Sequence, residues 1–350
     1  MNYKSKLFAG VMALVLCGCH SPIFEYEGDC EVSYNLRFVY DMNLDWADAF
    51  PTLVNKVELY AFNQDGVFVK EYSLTSAEVF TPGYAMQLDL EPGDYTLVAL
   101  GALETGLTLS EGFEIPSLTP GSSTLQDLTC SVRTSSNEQY PVFSDLRLPF
   151  LYQGNLEVSL PDTRDGADYF YTMYLTKDTN HVRAIIQKAG GNITQEELDI
   201  RITAKDKEIA WNNSLLGNVE VTYLPWDIWP TEAIVPEEKS TRNSYAGVGA
   251  DFMTGRLTDT MTKDTWLTID NAETKETIFK VPLVQYALMG KSYYETAYGK
   301  QMTNAEFLDR LSEYTLTFFV DEDMRLQYTI LEILSWRVVI SNYDITDNED

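Results

Sequence analysis

The sequence predicts a mainly β protein: two tandem antiparallel β-sandwiches with one or two short helices. Three observations carry this. Apolar and polar residues alternate in short runs, the period of a strand with one buried face. Turn-forming residues punctuate those runs at short intervals. A chain of 350 residues with 45% hydrophobic and 13% aromatic content has material for more than one core, because single cores stop growing beyond a few hundred residues.

The chain opens on a targeting segment. Lys4 and Lys6 precede a largely apolar run over 7–16, which ends at Cys17, Gly18 and Cys19. A bilayer-spanning helix needs about 20 apolar residues, so 1–18 is expected to be a lipoprotein signal peptide and not an anchor helix. A lipoprotein peptidase requires a small residue before the modified cysteine; Gly18 supplies it for Cys19, whereas Cys17 follows bulky Leu16. Cleavage is thus expected between Gly18 and Cys19, with Cys19 carrying acyl chains such as palmitate. Each buried methylene contributes about 0.8 kcal/mol, so several chains hold a domain firmly on a membrane. Residues 19–30, with Glu25, Glu27 and Asp29, read as an acidic tether.

Loss of 1–18 removes two lysines and no acid, which moves the net charge from −28 to −30. Such a balance repels polyphosphate and excludes nucleic acid as a partner. With Cys17 discarded and Cys19 lipidated, Cys30 and Cys130 remain. In an exported, oxidising compartment two such cysteines form a candidate disulfide; two buried thiols are the alternative.

The first sandwich is expected over 31–164. Residues 32–40 alternate as a strand, 57–62 form a second, and Asn63 to Gly66 make a turn that returns the chain along 67–72. Strands at 86–90 and 95–99 flank a turn around Pro92 and Gly93. Residues 110–139, rich in Ser, Thr and Gly and containing Cys130, read as a looser stretch. Residues 148–160 close the unit, and 161–166 are a linker.

The second sandwich is expected over 165–350. Its strands are read at 170–175, 182–187, 198–204, 219–224, 266–270, 277–283, 314–320, 328–332 and 336–340. One helix is expected after Thr303, where Thr303 and Glu306 have capping-box spacing and Phe307, Leu308 and Leu311 share a face.

Catalytic chemistry finds little support. The chain has two histidines, His20 beside the lipid cysteine and His181 before a strand, so a histidine-based metal or nucleophile site would hang on one residue. No catalytic residue, metal site or cofactor is expected. The acidic run 321–323 reads as a solvated turn. Trp226 and Trp229, three residues apart in a proline-bounded, loop-like stretch, are the candidate aromatic platform for a sugar or a partner protein; burial in the sandwich is the competing reading.

Taken in order, these pieces resemble the FimB-like family of fimbrial anchor and minor-subunit lipoproteins. The likeness is carried by the signal, by 36–41 with 47–51, by 57–62 before Asp65 and Gly66, and by 90–99. It continues through 151–154, 213–216 before 223–226, and 336–340. The resemblance implies two transthyretin-like domains. It also implies a non-enzymatic outer-membrane lipoprotein at the cell surface that anchors or nucleates a fimbria, or pilus, by pairing strands with shaft or accessory subunits. Alternatives are a tip or accessory fimbrial subunit and a glycan-binding surface lipoprotein.

Overall fold

The computed structural model describes residues 32–75, 79–163, 166–217, 219–236, 242–333 and 336–341. It is mainly β, with several sheets and a few short helices.

A five-stranded antiparallel sheet is central to the first half. Its spatial order is Thr176–Lys177, Phe150–Leu160, Gly93–Leu103, Lys56–Asn63 and Phe68–Leu74. The inner strands are buried on both faces. Val57, Leu59, Ala61, Leu97 and Ala99 pack against Tyr34, Leu36 and Phe38 of a three-stranded sheet, ordered Asp168–Tyr174, Ser33–Val39 and Met86–Gln87. The alternate residues Tyr60, Phe62, Val98 and Leu100 face the other way, toward Leu109, Phe113, Leu125, Leu128 and Cys130. Period-two geometry sends neighbours to opposite faces, which explains why Leu59 to Phe62 is an unbroken apolar run.

In the second half a six-stranded sheet runs Asp227–Pro236, Arg242–Thr254, Asn180–Ala189, Glu313–Val320, Leu326–Ile333 and Trp336–Ser341. A five-stranded sheet, Thr277–Pro282, Trp266–Asn271, Leu198–Ala204, Val221–Tyr223 and Phe143–Ser144, forms the other layer. Val182, Ala184, Ile186, Val248, Ala250 and Phe252 share one core with Ile200, Ile202, Leu267 and Ile269.

Several details depart from expectation. The sheets are predominantly antiparallel but contain three parallel pairings: Ser33–Val39 with Asp168–Tyr174, Asn180–Ala189 with Glu313–Val320, and Val221–Tyr223 with Phe143–Ser144. Each joins segments distant in sequence, so no hairpin turn announces it. The stretch 110–139 is not merely loose. It supplies Phe113–Glu114 and Thr129–Val132, which build a small sheet with Glu208–Ala210. The loop-like stretch around Trp226 leads into the edge strand Asp227–Pro236, where Pro230 and Pro236 are tolerated because one side of an edge strand needs no ladder partner. Helices Leu283–Met289 and Lys291–Tyr298 follow Pro282, at the end of the expected strand 277–283 and in a stretch to which no element was assigned. The expected helix forms as Asn304–Arg310, with Thr303 accepting a hydrogen bond from the Glu306 amide at 3.1 Å.

Candidate functional site

The seam between the halves is held by buried polar groups. Arg310, the last residue of the helix Asn304–Arg310, donates from Nη1 to the carbonyls of Asp41 at 2.8 Å and Asn43 at 3.0 Å. Its guanidinium also stacks 3.4 Å from the Trp46 ring centroid, and its Nε pairs with Glu306 at 2.9 Å. Trp46 Nε1 donates to the Tyr294 hydroxyl at 3.0 Å, and that hydroxyl donates to the Leu44 carbonyl. On another flank Gln153 Nε2 donates to the carbonyls of Ala210 at 2.7 Å and Trp211 at 2.8 Å. The backbone amide of Leu151 donates to Thr179 Oγ1 at 3.0 Å. The core is continuous across this seam, since Tyr60, Leu100 and Leu151 belong to the same cluster as Val182 and Phe252.

Three ionisable groups near the seam carry the mark of burial. Asp178 is pushed up to about 7 by desolvation, against the pull of Arg256, whose Nε is 3.6 Å away and whose Nη2 pairs with Asp309 at 2.7 Å. Asp206 is likewise raised to about 7 by burial while accepting a hydrogen bond from the Tyr223 hydroxyl at 2.8 Å. Lys177 is lowered to about 8 by burial; it lies 3.5 Å from the Phe150 ring centroid and donates to Ser312 Oγ at 3.0 Å. These groups lock elements together. Among the described residues no three His, Cys, Asp or Glu side chains are placed to hold a metal ion.

Assembly chemistry would use unpaired backbone at sheet edges. The edge strand Asp168–Tyr174 exposes Phe170 and Tyr174, with the Arg37 guanidinium 4.5 Å from the Phe170 ring centroid. The edge strand Trp336–Ser341 exposes Val339 at 62% while Val338 and Ile340 turn inward. The two edges lie differently relative to the seam. Ser33 enters beside Pro161, whose carbonyl accepts the Tyr34 hydroxyl, at the end of the first half away from Arg310. The strand Trp336–Ser341 starts opposite Ile333, near the seam, and ends with Ser341 opposite Tyr328, at the remote end of the second half.

The residues singled out in the sequence are dispersed. Gly18, Cys19 and Cys30 lie outside the described residues, as does the expected break at 164/165. Cys130 is buried in the strand Thr129–Val132, and burial pushes its thiol well above the usual range. It packs on the opposite face of the five-stranded sheet from the sheet containing Ser33.

Trp226 and Trp229 do not form a bare platform. Both are half-buried. Trp226 is fixed by its amide, which donates to the Asp251 carbonyl at 2.9 Å, and Arg147 lies 4.8 Å from its ring centroid. Trp229 lies flat on Gly249, where a Cβ would meet the ring at 2.4 Å, with Arg183 at 5.1 Å from its centroid. His181 sits within the strand Asn180–Ala189 with Nε2 3.2 Å from Asp251 Oδ1. Asp321 caps a hairpin turn by accepting the amides of Asp323 and Arg325. The seam residues Arg310, Trp46 and Asp178 were not singled out in the sequence, because their partners are more than 70 positions away along the chain or carried by backbone carbonyls.

Comparison with known proteins follows the same outline. Comparison with curated proteins gives no match. Among solved structures, a candidate polysaccharide-binding protein of Bacteroides thetaiotaomicron superposes with a TM-score of 0.71 at 25% identity, covering 89% of this chain and 99% of that one. A candidate adhesin of the same species gives 0.71 at 28% identity, covering 88% and 97%. The fimbrial anchor protein Mfa2 of Porphyromonas gingivalis shares the fold, with a TM-score of 0.62 at 15% identity over 89% of this chain and all of that one. The family model for fimbrillin-A associated anchor proteins Mfa1 and Mfa2 matches residues 26–342, which include every residue of the sheets described above, and the chain belongs to that family.

Proposed function

We propose that this chain is an outer-membrane lipoprotein, tethered through Cys19, that anchors or nucleates a fimbria by pairing one of its free sheet edges with a strand of a fimbrial subunit. The observation that carries the proposal is family membership combined with the placement of the strands Ser33–Val39 and Trp336–Ser341. A lipid on the N-terminal tether would hold the far end of the first half. The edge strand Trp336–Ser341, whose outer side has no partner strand among the described residues, reaches the remote end of the second. No helix among the described residues is long and apolar enough to cross a membrane, so attachment would fall to the lipid.

Two units belong to the same proposal, with one adjustment to their boundary. The strands Asp168–Tyr174 and Thr176–Lys177 pair with Ser33–Val39 and Phe150–Leu160, which supports a first unit continuing to about residue 177. A glycan-binding role would rest on Trp226 and Trp229, and the arginines lying over both rings favour the anchoring reading instead.

The test is Cys19→Ala in the native cell, read by membrane fractionation and by counting fimbriae on cells and in the medium. Loss from the membrane with shed or abnormally long fimbriae is expected. Loss from the membrane with fimbriae unchanged would sink the anchor role. Val339→Lys probes the edge: an exposed charge there should change stability by less than about 0.5 kcal/mol and reduce fimbria retention if that strand pairs with a subunit.

A further inference from the structure

The six-stranded sheet of the second half turns one face to the core and the other outward. A sheet with one wet face alternates apolar residues inward and polar residues outward. Inward the rule holds, since Val182, Ala184, Val248, Leu316, Phe318 and Leu331 are all buried in one cluster. Outward it is broken along one row. In-register pairs link Trp229, Gly249, Ile185, Thr317, Ile330 and Val339 straight across all six strands. Trp229, Ile185 and Ile330 are half-buried and Val339 is 62% exposed. Among the described residues none of these four side chains packs on either apolar cluster. A contiguous apolar band on an outer face marks a contact surface.

The rows on either side of the band say what covers it. Two residues along the strands in one direction lie Asp227, Asp251, Arg183, Thr315, Glu332 and Arg337. Arg183 holds Asp251 at 2.8 Å, and Arg337 lies 3.3 Å from Glu332. Asp227, exposed at one border of the sheet, forms no ion pair with a described residue, and Arg337 is 71% exposed at the other border. Two residues in the opposite direction lie Thr231, Gly247, Gln187, Phe319 and Tyr328, with the last two rings stacked at 4.4 Å.

This face is its own counterpart about a two-fold axis running along the strands, between Asn180–Ala189 and Glu313–Val320. The rotation sets the first strand of one copy against the sixth of another, the second against the fifth and the third against the fourth, each at the same level. Asp227 then meets Arg337, and Ile185 meets Thr317. The low strip of Gly247 and Gly249, with the Trp229 ring laid over it, meets Tyr328, Ile330 and Val339. An axis across the strands would instead lay the charged row on Phe319 and Tyr328, burying charge against aromatic rings. Sheets packed face to face keep their strands within about 30° of each other, which the first axis satisfies. Strands spaced about 4.8 Å apart, each of eight residues rising about 3.3 Å, make a face of about 24 by 26 Å. Two copies would therefore cover about 1,200 Å², the lower end of what a specific interface buries.

We propose that this outer face binds a second copy of the chain, forming a two-fold dimer with the apolar band at its centre. A second copy fits because the face supplies both halves of the match, acid against base at the borders and a low strip against a raised one between them. The inference uses the face of the sheet and not its free edges, so it does not rest on the anchoring reading.

The test is sedimentation equilibrium of the full chain in density-matched detergent at about 0.15 M salt, where charge effects beyond about 8 Å are screened. A reversible dimer is expected, and Ile330→Lys, on the central row, should abolish it. Asp227→Lys and Arg337→Glu should each weaken it at least tenfold. The two together should restore it, because the double variant exchanges the charges at both symmetric contacts. Both residues are exposed, so these variants keep the parent fold. A monomer at every concentration overturns the proposal. So does a dimer indifferent to Ile330→Lys, which would form through the lipid or another face. Single charge variants without effect, or a double variant as weak as the singles, overturn it too. Val339 is left unaltered, so that this experiment and the edge test of the anchoring reading fail separately.

Discussion

At the residue scale, buried ionisable groups govern how stability depends on pH. Asp206 has a carboxyl raised by burial to about 7, against about 3.9 in an unfolded chain. Between these values the unfolded chain has released the proton and the folded one retains it. Stability therefore falls as pH rises from about 4 to 7. Asparagine at this site stays neutral and keeps an oxygen for the Tyr223 hydroxyl. Urea midpoints at pH 5 and pH 8 should show Asp206→Asn losing less stability than the parent protein, by about 2 kcal/mol. An equal loss in both would mean that Asp206 is ionised throughout. Nothing in the residues 204–208 announces this behaviour, since the carboxyl is raised by what folds over it.

At the scale of elements, close approach of backbones fixes which strands join which sheet. Gly154, in the strand Phe150–Leu160, leaves no room for a side chain: a Cβ would lie 2.6 Å from the Tyr174 carbonyl oxygen and 2.8 Å from Leu175 Cδ2. The segment from Asp168 to Lys177 crosses over the five-stranded sheet at this point. Gly154→Ala should lower stability by about 1–3 kcal/mol through overpacking, read as a drop in thermal midpoint. A midpoint unchanged from the parent protein would show that the crossing segment moves aside freely. Gly249 plays the corresponding part beneath Trp229, which is why the 13-residue strand Arg242–Thr254, with its small residues, lacks the alternation that reveals its neighbours. Where one face of a strand must be flat for another element, its apolar period is lost from the sequence.

At the scale of the whole molecule, the two halves share structure. Thr129–Val132 and Phe143–Ser144 from the first half complete sheets with Glu208–Ala210 and Val221–Tyr223 from the second, and one apolar cluster runs through both. Separate folding would leave each half with open edges and exposed core. Calorimetry of the mature chain should accordingly show a single unfolding transition with equal calorimetric and van't Hoff enthalpies; two resolved transitions would show that the seam contributes little.

The sequence by itself determined the strands that alternate or run apolar between turns, such as Leu198–Ala204 and Glu313–Val320, and the capped helix after Thr303, because their signals lie within a few neighbouring residues. It also determined the likeness to fimbrial anchors through the order of those segments. Only the tertiary structure decided the parallel pairings, the clasp formed by 110–139, the seam around Arg310 and the apolar row across the six-stranded sheet. Each of these depends on groups from remote parts of the chain meeting in space, and local period and composition carry no record of which distant partner a face or an edge will find.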